Sequence, residues 1–198
     1  MTQLTPKGPA VFIDRDGTLV EEVNFLSRVE DLRIFPFTAE AIRRLKVAGY
    51  RIVVVTNQSG IGRSIYSEAD MHSIHNAMQA ELEGAVDAFY FCPHLPDAGC
   101  RCRKPGLGMI EDAIRDLNID LSGSWMIGDK KIDVETGRNA GISSALVLTG
   151  YGEKHLPTLD WSPKVIAPNL LAAVEEIVQS VTVGSITVNS APVSEPSL

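Results

Sequence analysis

The chain has 198 residues, of which 44% are hydrophobic and 22% are charged, and its formal net charge is −7. This length suits one α/β domain and is short for two. The acidic balance argues against nucleic acid, which favours a basic protein face. No apolar run approaches the length of a membrane span, and the first residues lack the apolar stretch of a secretory signal. We therefore expect a cytoplasmic protein that binds neither nucleic acid nor a membrane.

Short apolar runs alternate with helical patterns along the chain. Such alternation predicts an α/β fold in which helices cover both faces of a parallel sheet. Strands are predicted at 10–13, 51–55, 88–91, 125–127 and 145–148, and helices at about 38–48, 67–83, 107–117, 131–141 and 169–178. No long insertion interrupts the alternation, so we expect one domain over residues 1–180 without a large cap domain. The segment 181–198, rich in Ser, Val, Thr and Pro, is predicted to be a flexible tail.

Ligands of such sheets bind beyond the carboxyl ends of the strands. Asp14 and Asp16 follow the first strand, and residues two apart on an extended chain point the same way. Two carboxylates so close repel each other unless a cation or a shared proton intervenes, and Mg²⁺ favours carboxylate and phosphate oxygens. One carboxylate can then attack phosphorus, and the other can transfer protons. Taken alone, the segment is equally compatible with a turn that has no chemistry.

Groups that suit a phosphate ester follow the other strands. The loop after the second strand contains Thr56, Asn57, Gln58 and Ser59, and the loop after the fourth contains Asp129, Lys130 and Asp133. Before the third helix, Lys104 can offset the charge of a phosphoryl group in the transition state, and Arg103 can hold a second anion with two N–H donors. Asp129 can complete the metal site, and Asp133 can orient it or a neighbouring lysine. Each signal alone is also compatible with a helix cap or a solvated charge.

Taken together, these motifs resemble those of the haloacid dehalogenase-like (HAD) phosphatase superfamily. The matches are Asp-x-Asp-Gly-Thr at 14–18, Thr56, Lys104, and Gly128-Asp129 with Asp133, within residues 9–152. The resemblance implies a three-layer, Rossmann-like fold with strand order 3-2-1-4-5, which brings the four motifs together. It also implies that Asp14 is the nucleophile and Asp16 the general acid/base. Magnesium would be held by Asp14, Asp129 and the backbone carbonyl of Asp16, with Asp133 behind them.

The three cysteines, Cys92, Cys100 and Cys102, lie close together with His94. An odd number of cysteines in a chain expected to be cytoplasmic argues against disulfides. Three thiolates and one imidazole match the four-ligand tetrahedral sites of structural zinc, which leave no open position for substrate. We therefore predict a zinc-stapled loop that fixes the adjoining segment 103–104 against the active site. Buried thiols without a metal are the alternative.

The zinc-loop motif narrows the resemblance to two families, the D-glycero-D-manno-heptose 1,7-bisphosphate 7-phosphatases and the histidinol-phosphate phosphatases. The segments 56–63 and 106–109 favour the heptose family, whereas the five-residue gap between His94 and Cys100 is typical of the histidinol family. The heptose family implies removal of the 7-phosphate through an aspartyl-phosphate, a step towards nucleotide-activated heptose and lipopolysaccharide precursors. A non-catalytic, zinc-stapled binding module is a third alternative from another class.

The resemblance also places substrate contacts. The substrate loop would comprise Glu22, Val23, Asn24 and Phe25, with Lys130 beside the metal ligand and Arg103 at the distal phosphate. Histidinol phosphate carries an amine and would need a carboxylate, for which Glu21, Glu22 and Asp97 are candidates. We expect a monomer that binds a small phosphorylated metabolite, with Mg²⁺ and Zn²⁺ as cofactors.

Overall fold

A parallel sheet of six strands forms the centre of the computed structural model, which describes residues 7–186. The strands are β1 (Gly8–Ile13), β2 (Arg51–Asn57), β3 (Ala88–Cys92), β4 (Ile119–Gly128), β5 (Ser143–Val147) and β6 (Val165–Ala167). Their order across the sheet is β3-β2-β1-β4-β5-β6. The predicted α/β class and the order 3-2-1-4-5 are therefore confirmed. The sixth strand was not predicted, because three residues are too few for a periodic signal.

Seven α-helices are present within the described residues. They are α1 (Thr38–Val47), α2 (Ser59–Gly62), α3 (Glu68–Glu81), α4 (Gly108–Leu117), α5 (Lys131–Asn139), α6 (Gly152–His155) and α7 (Leu170–Ile186). None of the helices within residues 7–186 is both long and apolar enough to span a membrane.

The last helix runs further than the sequence pattern indicates. The prediction ends it near residue 178, because the β-branched residues that follow have modest helix propensity, but α7 continues to Ile186. Part of the segment 181–198 is thus helical. The rest of the predicted flexible tail, 187–198, lies outside the described residues.

Two apolar cores pack against opposite faces of the sheet. One contains buried side chains of α1, α3 and α7, and the other contains buried side chains of α4. Residues 52–55 of β2 are fully buried, as expected for a central parallel strand that is covered on both faces. These cores hold β1 between β2 and β4, so the carboxyl ends of the three strands meet.

Backbone hydrogen bonds fix the loops at this edge of the sheet. The N–H of Asp14 donates to the carbonyl of Ile127 at 2.9 Å, and the N–H of Gln58 donates to the carbonyl of Cys92 at 2.8 Å. The helix that faces the loop after β1 begins with a capping box, in which Ser67 and Asp70 each accept the other's backbone N–H. The chain therefore delivers the motif residues to one edge in fixed positions.

Candidate active site

A pocket of about 220 Å³ opens at the carboxyl ends of β1, β2 and β4. Asp14 and Asp16 line it, together with every predicted substrate-binding residue except Val23. The side chain of Val23 is 41% exposed and borders a neighbouring surface pocket instead. Leu26, Ile132 and Tyr151 also line the pocket.

The carboxylate of Asp14 lies in this pocket and is almost completely buried. Its Oδ1 atom accepts the backbone N–H of Arg15 at 2.8 Å and lies 2.9 Å from Nζ of Lys104. Burial alone would raise the pKa of Asp14, but the positive charges of Lys104 and Lys130 lower it below its ordinary value. Asp14 is therefore ionised at neutral pH, which is the state that a carboxylate nucleophile requires.

The ammonium group of Lys104 is buried, and acceptors surround it. Nζ lies 2.8 Å from the carbonyl of Val55, 2.9 Å from Oδ1 of Asp14 and 2.6 Å from Oδ1 of Asp133. Burial would lower the pKa of Lys104, but Asp133 and Asp14 raise it above its ordinary value. The side chain of Asn57 fixes the Lys104 backbone, accepting its N–H at 3.0 Å and donating to its carbonyl at 3.2 Å. The site thus contains a fixed positive charge.

The carboxylate of Asp129, directly after β4, has one oxygen that accepts a hydrogen bond and one that lies 3.6 Å from Nζ of Lys130. Oδ2 accepts the backbone N–H of Tyr151 at 2.8 Å, whereas the buried Oδ1 has no hydrogen-bond partner among the described residues. Burial, and then the charge of Asp14, raise the pKa of Asp129 to about 7. A buried carboxylate oxygen that accepts no hydrogen bond is a suitable ligand for a hard cation, which would also stabilise the ionised form.

Carboxylate oxygens of Asp14, Asp129 and Asp133 lie within 4.8 Å of one another. The oxygens of Asp133 are already engaged, Oδ1 with Nζ of Lys104 and Oδ2 with the backbone N–H of Lys130 at 3.0 Å. The donor set therefore fits Mg²⁺ with Asp14 and Asp129 as the side-chain ligands. Asp133 instead orients Lys104 and the start of α5.

The turn after β1 requires a glycine. Gly17 has a φ of +81°, and a Cβ atom there would collide with Oδ2 of Asp129. The hydroxyl of Thr149 donates to the Gly17 carbonyl at 2.6 Å. The turn can therefore fold back over the site only when this position lacks a side chain.

The carboxylate of Asp16 turns towards Arg15 and Gln58. Nε and Nη2 of Arg15 lie 2.9–3.2 Å from its two oxygens. Nε2 of Gln58 donates to Oδ2 at 2.7 Å. The Asp16 side chain is 15% exposed and borders the pocket, so it can still reach a bound ester.

One wall of the pocket is held by an ion pair. Oε2 of Glu22 lies 3.1 Å from Nζ of Lys130, and Oε1 accepts the backbone N–H of Asn24 at 3.0 Å. Nζ of Lys130 also lies 5.0 Å from the centre of the Tyr151 ring. Burial lowers the pKa of Lys130, but Asp14 and the other nearby carboxylates raise it well above its ordinary value. The predicted substrate loop is thus tied to the end of β4.

The four predicted zinc ligands come together beside the pocket. Ligand atoms of Cys92, His94, Cys100 and Cys102 all lie within 4.8 Å of one another. Neighbouring ligand atoms are 3.3–3.6 Å apart, close to the edges of about 3.8 Å in a tetrahedron with Zn–S bonds of about 2.3 Å. Nη1 of Arg103 donates to the His94 carbonyl at 3.3 Å. The donor set fits zinc and connects it to the arm that carries Lys104.

Comparisons with known proteins identify the family. A family model described as HAD-hydrolase-like matches residues 101–173. The D-glycero-D-manno-heptose-1,7-bisphosphate 7-phosphatase of Thermosynechococcus vestitus is 43% identical over 85% of this chain and 95% of its own length. The chain belongs to this family. A Rhodopseudomonas palustris relative, named D-glycero-beta-D-manno-heptose-1,7-bisphosphate 7-phosphatase, is 41% identical over 72% of this chain and 84% of its own.

The structure of this HAD phosphatase also matches a solved relative. The D,D-heptose 1,7-bisphosphate phosphatase of Bordetella bronchiseptica, crystallised with magnesium and phosphate, superposes with a TM-score of 0.80 at 34% identity. The match covers 87% of this chain and 99% of the other. The predicted superfamily and phosphatase class are confirmed, and the alternative of a non-catalytic module is not supported.

Sequence reasoning missed two aromatic residues and one basic residue of the phosphatase site. Tyr66 hydrogen-bonds to Gln58, and Tyr151 lines the pocket beside Lys130. Neither tyrosine belongs to a motif, and neither could have been identified before the loops were placed. Arg15 is fully buried, and one signal pointed to it: on an extended chain, a residue between Asp14 and Asp16 points to the opposite side, into the protein.

Proposed function

We propose that this phosphatase removes the 7-phosphate from D-glycero-D-manno-heptose 1,7-bisphosphate. The observation that carries the proposal is the 43% identity to a relative of that name over 85% of the chain. The pocket adds chemical support, because its lining includes three cations, Arg103, Lys104 and Lys130. The same lining includes three carboxylates, Asp14, Asp16 and Glu22, so a substrate with more than one phosphate would depend on these focused cations together with a bound metal ion.

The proposed chemistry uses two aspartates in two steps. In the first, a carboxylate oxygen of Asp14 forms a bond to phosphorus while the bond to the sugar oxygen breaks, and Asp16 gives its proton to that oxygen. In the second, water forms a bond to phosphorus and the bond to Asp14 breaks, while Asp16 takes the proton from water. The enzyme and its two carboxyl groups return to their starting states, and the products are inorganic phosphate and heptose 1-phosphate.

Magnesium would be held by Asp14, Asp129 and the backbone carbonyl of Asp16. When bound, it offsets the charge that the phosphoryl oxygens bring next to the Asp14 carboxylate. The buried Oδ1 atom of Asp129, which accepts no hydrogen bond among the described residues, supports this assignment. Lys104 contributes a second, permanent positive charge, because its ammonium group is 2.9 Å from Oδ1 of Asp14.

Zinc would have a structural role in this enzyme. Four protein ligands leave no coordination position for substrate or water. The last predicted ligand, Cys102, directly precedes Arg103 and Lys104. We infer that the metal holds this arm in register with the pocket, with Lys104 at the departing phosphate and Arg103 at the distal one.

Histidinol phosphate is the alternative substrate, and the placement of its possible amine partners disfavours it. Of Glu21, Glu22 and Asp97, only Glu22 lines the pocket. Its Oε2 is 3.1 Å from Nζ of Lys130, so its charge is already compensated by a cation. An amine would have to compete with a fixed ammonium group for the same carboxylate, with Coulomb repulsion between the two cations.

Steady-state kinetics test the substrate assignment. We expect kcat/KM for heptose 1,7-bisphosphate to exceed that for histidinol phosphate by orders of magnitude, and the reverse order would overturn the proposal. Asp14→Asn should abolish phosphate release from either substrate, whereas Asp116→Asn, at an exposed position away from the pocket, should not. An Asp14→Asn variant with the wild-type rate would exclude the proposed mechanism. The predicted monomer should have a mass near 21.5 kDa by light scattering.

A further inference from the structure

A buried guanidinium lies directly behind the pocket. The Arg15 side chain is fully buried, and its Nη1 is 2.9 Å from Sδ of Met71 on α3. Among the described residues, Asp16 is the only carboxylate that forms an ion pair with it. A buried cation without a partner would destabilise the fold by several kcal/mol, so Asp16 and Arg15 are strongly bound to each other.

A histidine near Arg15 does not compete with it for Asp16. His75 of α3 is buried, and its ring stacks on Phe89 with 4.5 Å between ring centres. Burial and the charge of Arg15 lower the pKa of His75 to about 3, so the imidazole is neutral. Arg15 is therefore the cation that sets the position of Asp16 from this side.

Gln58 holds the Asp16 carboxylate from a second direction. Its buried amide donates through Nε2 to Oδ2 of Asp16 at 2.7 Å and to Oγ1 of Thr56 at 2.8 Å. The amide oxygen of Gln58 accepts the hydroxyl of Tyr66. Burial raises the pKa of Tyr66 to about 12, so this hydroxyl stays protonated and acts as a donor. Tyr66 thereby determines which end of the amide faces Asp16.

The Tyr66 ring is held in place by close packing. A Cβ atom at Gly60 would collide with Cε1 of Tyr66 and come within 3.0 Å of Cδ1 of Phe25. Phe25 belongs to the predicted substrate loop and lines the pocket. The absence of a side chain at Gly60 therefore allows the tyrosine, the substrate loop and the polar chain to Asp16 to pack together.

We infer that Arg15, Gln58 and Tyr66 are positioning residues that fix the Asp16 carboxylate for proton transfer to and from the substrate. Oδ2 of Asp16 accepts from both Arg15 and Gln58, whereas Oδ1 accepts from Arg15 alone. Nε and Nη2 of Arg15 together with Nε2 of Gln58 therefore fix the plane of the Asp16 carboxylate from two directions. This inference rests on the proposed role of Asp16 as general acid/base.

Two substrates with different leaving groups distinguish a positioning role of these residues from a merely structural one. A sugar alkoxide needs a proton from Asp16 as it departs, whereas p-nitrophenolate is stable enough to leave without one. In Gln58→Met, Tyr66→Phe and Arg15→Lys, we expect kcat for the sugar bisphosphate to fall about tenfold to hundredfold, as for a misplaced acid/base. With p-nitrophenyl phosphate, the rate of attack by Asp14 on phosphorus should change by less than about threefold, whereas the rate of attack by water on the aspartyl-phosphate should fall. A burst of p-nitrophenolate, followed by slow turnover, should then appear in stopped-flow measurements.

Tyr90→Phe is the matched control, because it removes a tyrosine hydroxyl that bonds to the exposed Asp116. This variant should have the wild-type kcat with both substrates and the wild-type time course of p-nitrophenolate release. In the Gln58 and Tyr66 variants, a fall in the burst rate of p-nitrophenolate as large as the fall in kcat for the sugar bisphosphate would overturn the inference. No fall in kcat for the sugar bisphosphate would also overturn it. These two variants decide the question if Arg15→Lys does not fold. If the wild-type enzyme does not hydrolyse heptose bisphosphate but hydrolyses glycerol phosphate, the substrate assignment is wrong. The positioning role is then tested by comparing glycerol phosphate with p-nitrophenyl phosphate in the same variants.

Discussion

Replacing Lys104 by methionine should destabilise the protein as well as inactivate it. The substitution keeps the apolar stem but removes an ammonium group that contacts Oδ1 of Asp14 and Oδ1 of Asp133, both of which are buried. Removal of one partner from a buried ion pair destabilises a protein by about 3–5 kcal/mol. For a domain of this size, that corresponds to a Tm decrease of about 10 °C.

The assay is thermal and urea unfolding in metal-free buffer, with Lys46→Met as the control. Lys46 pairs with Asp87 at 2.9 Å, but this pair is partly exposed, and Asp87 retains the backbone N–H of Ile52 at 2.7 Å. The control should therefore lose no more than about 1 kcal/mol. Addition of Mg²⁺ should restore part of the stability lost in Lys104→Met, because the bound cation would offset the charge of the Asp14 carboxylate. If Lys104→Met loses no more unfolding free energy than Lys46→Met, the buried charges of Lys104, Asp14 and Asp133 do not interact as described.

Three further predictions concern zinc, acid stability and the turn after β1. Purified wild-type protein should contain one zinc ion per chain by mass spectrometry, and Cys100→Ser should lose it together with stability. Because the pKa of His75 is lowered from 6.5 to about 3 in the fold, the unfolded chain binds a proton that the folded chain does not, and stability should fall as pH decreases from about 6.5 towards 3. In His75→Phe, the free energy of urea unfolding should depend less on pH over that range than in the wild type. Parallel pH dependences for the two proteins would contradict this explanation. Gly17→Ala should weaken Mg²⁺ binding in calorimetry, because its methyl group would displace Asp129; unchanged affinity would argue against Asp129 as a ligand.

The sequence predicted much of the fold because its signals were local. The apolar run at 51–55 indicates a buried strand by composition alone, and Ser67 is a plausible N-cap at the start of the predicted helix at 67–83. The four zinc-ligand candidates could be identified because their residue types and spacing are rare in combination. The strand β6 could not be predicted, since its three residues pair with β5 only after the helices between them are placed.

Side-chain orientation accounts for what the sequence did not predict in the site. Val23 and Asn24 are neighbours in the predicted substrate loop, yet only Asn24 lines the pocket, and it has a φ of +49° that no pattern indicated. Arg15 occupies the variable position of its motif, and its burial depends on Met71 and α3, more than fifty residues away. Such contacts depend on tertiary packing, which periodicity and spacing do not specify.

The most direct test of the account is the identity of the phosphate that is released. ³¹P NMR of heptose 1,7-bisphosphate with the wild-type enzyme and Mg²⁺ should show loss of the 7-phosphate signal, growth of inorganic phosphate and retention of the 1-phosphate signal. Asp14→Asn should leave both ester signals unchanged. Loss of the 1-phosphate, or hydrolysis of histidinol phosphate while the bisphosphate remains intact, would contradict the proposed function.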